Sequence, residues 1–95
     1  MSNDEELVQA MLQGDQVAFQ RFFESYAARL GAFAARRSAL GASAIEDVVQ
    51  STMINAMRNL KGFRGEATLF TWLCQICRSQ LADIRRKAER QPRFE

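Results

Sequence analysis

Ninety-five residues, 47% of them hydrophobic, make one small domain with room for a single core and none for a deep catalytic cleft. The net charge of +2 conceals an uneven distribution: residues 1–50 carry four Arg against seven Asp and Glu, whereas residues 51–95 carry nine Lys and Arg against four acids. The opening MSNDEEL lacks a basic start followed by an apolar run, and no uncharged stretch approaches the roughly 20 residues of a membrane span, so a cytosolic protein is expected.

A single proline, Pro92, leaves the body of the chain open to long helices, and Ala, Leu, Gln, Glu and Arg are abundant; the expected fold is all-α, a compact bundle of about four helices. Leu7, Val8 and Met11 give a short amphipathic segment that stops at Gly14, with Asp15 placed to cap the next helix. That second helix has apolar residues every three or four positions at Phe19, Phe22, Phe23, Tyr26, Leu30 and Phe33, with Arg21, Glu24, Arg29 and Arg36 directed elsewhere. SALGAS, residues 38–43, reads as a connector, and Ser43 with Glu46 has the form of a capping box opening a third helix that runs to about Arg58.

The buried face predicted for the third helix is Ile45, Val48, Val49, Thr52, Met53, Ala56, Met57 and Leu60; Asp47, Gln50, Ser51 and Arg58 fall opposite, with Ile54 among them. An isoleucine in a polar face is either an ordinary exposed side chain or part of a partner surface. The stretch KGFRGEATLFTW, residues 61–72, then interrupts the helical pattern with two glycines flanking Phe63 and Arg64, and reads as a loop. Thr68 is placed to cap a fourth helix whose stripe is Phe70, Leu73, Cys74, Cys77, Leu81 and Ile84. Trp72, Gln75, Ser79 and Arg86 share its reverse side, continued by Arg90. An indole beside arginines and hydrogen-bonding groups suits a nucleic-acid surface, and equally a helix packed between two neighbours.

The C-x-x-C of Cys74 and Cys77 invites a metal or redox reading. With no histidine, no second cysteine pair and no preceding strand, packing within the helical stripe is the expected role, and no metal or cofactor is expected. Neither a nucleophile with an activating histidine nor a glycine-rich phosphate loop is present, so no enzymatic activity is expected.

Residues 44–87, AIEDVVQSTMINAMRNLKGFRGEATLFTWLCQICRSQLADIRRK, resemble the second region of bacterial sigma factors of the extracytoplasmic-function group, and GDQVAFQRFFESY, residues 14–26, resembles the start of the same domain. The resemblance implies a domain over residues 1–87, with 88–95 beginning a linker toward a promoter-binding domain. It implies that the third helix docks on the clamp coiled coil of the largest core RNA polymerase subunit through Glu46, Asp47, Gln50, Ser51, Ile54 and Arg58. It also implies that the F-R-G loop and the following helix handle the non-template strand of the promoter minus-ten element. Lys61, Phe63, Arg64, Gly65, Glu66 and Ala67 would surround a base turned out of the stack, and Trp72, Gln75, Arg78, Ser79 and Arg86 would line the strand.

Gly62 and Gly65 are expected to permit the turns that bring the backbone close to the nucleotide. Phe63 either stacks on the base or packs under the loop. Asp83 is expected to pair with Arg86 or Arg78. Ser79 replaces an asparagine frequent in the group, Met53 and Met57 replace aromatics, and Ser51 replaces an acid. An anti-sigma partner is implied as well. The alternative function is a helical adaptor that binds protein through Asp47, Gln50 and Ile54 without reading DNA.

Overall fold

The computed structural model describes residues 3–90, and the expected linker residues 91–95, with Pro92, lie outside them. Four helices follow in order: α1 Asn3–Leu12, α2 Gln16–Arg36, α3 Ala42–Arg58 and α4 Leu69–Arg90, with a 3-10 turn at Leu60–Gly62. α2, α3 and α4 pack against one another, while α1 lies on α2 and against the 3-10 turn. No described residue is in a strand.

Local chemistry fixes the first corner. Gly14 adopts φ 84°, a left-handed value that a side chain disfavours. Its N–H donates to the Met11 carbonyl at 3.0 Å, and the Asp15 N–H donates to that of Ala10 at 3.1 Å, the paired bonds of a Schellman turn. Asp15 also starts α2: its carboxylate accepts from Val17 N–H at 3.0 Å and Ala18 N–H at 3.3 Å. One residue therefore closes α1 and opens α2, as the sequence predicted for the cap.

The second corner differs from expectation. α3 is capped by Gly41 in extended conformation, with no side-chain bond, so Ser43 sits inside the first turn and the Ser43–Glu46 capping box does not form. The connector runs over 37–41 rather than 38–43 because α2 ends at Arg36 and α3 begins at Ala42, and the Ser38 hydroxyl donates to the Ala34 carbonyl at 2.8 Å beside the end of α2. Thr68, by contrast, caps α4 as expected, accepting from Thr71 N–H at 3.1 Å. α4 continues through Ala88, Glu89 and Arg90, past the expected end of the domain at residue 87.

Phe22, Leu30, Met53, Leu69, Leu73 and Cys77 are fully enclosed at the centre. Each large apolar side chain so buried contributes roughly 1.5–3 kcal/mol of transfer free energy. Thr52 is the one buried polar residue among those described, and its hydroxyl is satisfied by the Val48 carbonyl at 2.8 Å. The predicted α3 face is buried or half-buried throughout. Elsewhere the stripes need correction. Phe23 is 40% exposed and Ile84 37%, whereas Leu69, outside the predicted α4 stripe, is wholly buried and its neighbour Phe70 only half-buried against α2.

Candidate nucleic-acid interface

Between the 3-10 turn and α4, residues 63–68 are non-helical. The 3-10 turn is closed by Gly62 N–H to the Asn59 carbonyl at 2.8 Å and Phe63 N–H to that of Leu60 at 3.1 Å. Gly65 has φ 75°, so the chain reverses there in a conformation open to glycine. Gly62 has no positive φ and nothing within 4 Å of a notional Cβ, so the expectation that both glycines supply special turns holds for Gly65 alone.

The loop is held from two sides. Thr68 caps α4 from within it, and Asp4 of α1 reaches across: one carboxylate oxygen accepts the Leu69 N–H at 2.9 Å and the other accepts the Tyr26 hydroxyl at 3.1 Å. A Cβ on Gly65 would meet Oε1 of Glu5 at 2.6 Å, so α1 also lies directly against the reversal. No local pattern signals this contact, because Asp4 and Leu69 stand 65 positions apart. Burial, then the hydrogen bond and charge of Asp4, raise the Tyr26 hydroxyl above its usual pKa, partly opposed by Arg29.

The arrangement brings together Phe63, Arg64, Gly65, Glu66, Ala67, Trp72 and Gln75 around a hollow of about 130 Å³. Phe63 is half-buried and meets Trp72 edge to face, ring centres 5.6 Å apart at 62°, so it packs beneath the loop. Arg64, Glu66, Ala67 and Gln75 are exposed. Lys61, Ser79 and Arg86 are exposed but do not line the hollow. Arg86 pairs with Asp83, one of the two partners anticipated for that acid. Arg78 is directed to α2, its guanidinium 5.6 Å from the Phe33 ring centre, on a different side of α4 from Trp72 and Ser79.

On α3, Glu46, Asp47, Gln50, Ser51, Ile54 and Arg58 are all exposed, Ile54 by 44%. Asp47, Gln50, Ser51, Ile54 and Arg58 share one outward face at about 100° per residue. Glu46 turns instead, with Gln50, to the rim of a groove of about 570 Å³ between α2 and α3, beside Phe23 and Gly31.

The cysteines are reduced and buried, and burial raises both thiols above their ordinary pKa. No group of three metal-ligating side chains occurs among the described residues, and none of their helices is long and apolar enough to cross a membrane.

A four-helix domain with a glycine reversal ahead of its last helix is the form in which the family relationship is expressed: residues 22–91 match the Sigma-70 region 2 family, to which the chain belongs. Within that family the chain is similar to the ECF RNA polymerase sigma-E factors. It is 36% identical to that of Haemophilus influenzae over 73 residues, covering 77% of this chain and 38% of the relative. The Escherichia coli and Salmonella typhi proteins give the same identity over 73 residues, covering 37% of each. The chain thus spans somewhat over a third of the length of these relatives, and is a Sigma-70 region 2 domain.

Proposed function

We propose that this domain binds core RNA polymerase through the outer face of α3 and, on the promoter, captures a non-template base of the minus-ten element in the loop before α4. The observation that carries this reading is the hollow formed by Phe63, Arg64, Gly65, Glu66, Ala67, Trp72 and Gln75, held open by a left-handed glycine and capped helix ends. Arg64 offers charge-assisted hydrogen bonds to phosphate or a base edge, and the exposed backbone allows close approach. On α3, Asp47, Gln50 and Ile54 present polar groups around one apolar anchor, which suits a helical partner such as the polymerase clamp coiled coil.

Magnitudes define the role. Capturing one base yields roughly 1–3 kcal/mol, while each duplex step opened loses about 1.4 kcal/mol of stacking. The domain therefore traps bases that open while polymerase holds the promoter, and supplies no catalysis. It acts in the cytoplasm, where an anti-sigma partner covering either face would silence it. Residues 1–87 form the working unit in this reading, and 88–95 begin the linker onward.

Mixing the chain with core polymerase and a labelled minus-ten oligonucleotide tests the reading. The non-template strand is expected to bind better than its complement, and Asp47→Ala is expected to weaken capture of polymerase. Equal binding of the two strands, with polymerase capture intact, favours instead the protein-binding adaptor built on Asp47, Gln50 and Ile54.

A further inference from the structure

One strongly basic surface is left unused by that function. Along the seam between α2 and α4, Arg29, Arg36, Arg37, Arg78 and Arg85 border two adjoining hollows of about 450 and 480 Å³, and no acidic residue lines either. All five are exposed, and none pairs with a carboxylate among the described residues, where Arg86–Asp83 is the ion pair present.

Three of the five are held on aromatic rings. The Arg29 guanidinium carbon lies 4.0 Å from the Phe70 ring centre and 5.5 Å from that of Tyr26. Phe33 receives Arg37 at 4.6 Å and Arg78 at 5.6 Å. Such stacking fixes a guanidinium while leaving its edge N–H groups free, so less conformational freedom is lost when an anion binds.

We propose that this arginine seam is a second DNA-binding track, one that grips the phosphate backbone of duplex DNA without reading sequence; the inference rests on the promoter-binding reading above. Charge and geometry select this occupant. An unneutralised row of cations calls for a polyanion. Sites for single strands combine charge with open aromatic faces, whereas here guanidiniums already lie over Phe33 and Phe70. What remains outward is a set of phosphate donors, three of them held on rings. Arg29 to Arg36 and Arg78 to Arg85 are each seven helical residues apart, about 10 Å along their axes, or about three base-pair rises of duplex.

The test measures binding of the chain to a fluorescein-labelled duplex of arbitrary sequence across a potassium chloride series. The triple variant Arg36→Gln, Arg37→Gln, Arg85→Gln is expected to make the plot of log affinity against log salt shallower by about 2.7, or 0.9 per lost phosphate contact. The matching triple lysine variant keeps the charges and is expected to keep the slope, which separates charge from folding. Each protein is also assayed for its preference between the non-template oligonucleotide and the complement, which the seam variants are expected to retain.

A shallower slope supports the track even if the wild type shows no strand preference, a result that removes only the loop reading. An unchanged slope in the glutamine variant overturns the track whatever the loop does. Loss of polyglutamate binding with an unchanged duplex slope also overturns it, assigning the seam to an acidic protein segment.

Discussion

The carboxylate of Asp4 accepts a hydrogen bond from the Leu69 N–H at 2.9 Å, joining the first turn of α1 to the first turn of α4 across 65 positions of sequence. With the Tyr26 hydroxyl on its other oxygen, Asp4 links three helices beside the loop before α4. Replacing it removes a helix cap and leaves a half-buried hydroxyl without its partner. Asp4→Ala is expected to lose about 0.5–2 kcal/mol in urea unfolding and to speed amide exchange at Leu69.

The same contact predicts an alkaline limb in stability. Tyr26 titrates above its ordinary 10.0 in the folded chain, through burial first and Asp4 second. Above the ordinary value the unfolded chain releases the proton that the folded chain retains, so stability is complete below that pH and falls as pH rises through the raised pKa. Tyr26→Phe is expected to flatten this limb, read as the urea midpoint against pH.

The two glycines of the loop are expected to respond in opposite senses. Gly65→Ala places a Cβ at φ 75° and against Glu5, so backbone strain and crowding act together. A loss of about 1–2 kcal/mol is expected, with weaker oligonucleotide capture. Gly62→Ala meets open space at an ordinary φ and is expected to be neutral, or to gain up to about 1 kcal/mol by restricting the unfolded chain. Thermal melts of the two variants separate them.

Arg64 and Trp72 should also divide binding from stability. Arg64 is exposed and has no ion-pair partner among the described residues, so Arg64→Ala is expected to stay within about 0.5 kcal/mol of the parent in unfolding while weakening non-template strand capture about tenfold or more. Trp72 packs on Phe63, and Trp72→Ala is expected to lose about 1–3 kcal/mol of stability as well as binding. Denaturation curves and anisotropy titrations on the same samples give both quantities.

Thiol chemistry gives a final check. Burial keeps Cys74 and Cys77 protonated at neutral pH. A disulfide-exchange reagent is expected to modify them no faster than the chain opens, and rapidly in urea. Fast labelling of the folded chain would contradict their packing role.

The outline of this fold was legible in the sequence because its helices are strongly periodic: α2 from Asp15 onward, the buried α3 face and the Thr68 start of α4 all follow from local pattern. Ser43 misled because a serine followed three residues later by glutamate has the composition of a cap whether or not the helix starts there. Gly41 in extended backbone started it two residues earlier. The loop was visible through its glycines, yet spacing could not tell that only Gly65 needs a left-handed turn. Nor could it show Asp4 at the head of α4, Arg78 turned toward Phe33, or Phe63 lodged against Trp72. The first two are contacts between elements far apart in the chain and the third spans the turn into α4, and local pattern carries none of them.

Asp4 and its acceptor site also set an order of events during synthesis. Asp4 is joined to the growing chain well before Leu69, and at typical bacterial elongation speeds the two are made about 3–13 s apart. During that delay the first turn of α1 lacks its partner at the head of α4. The tie between the first and last helices is therefore completed only when the final helix arrives.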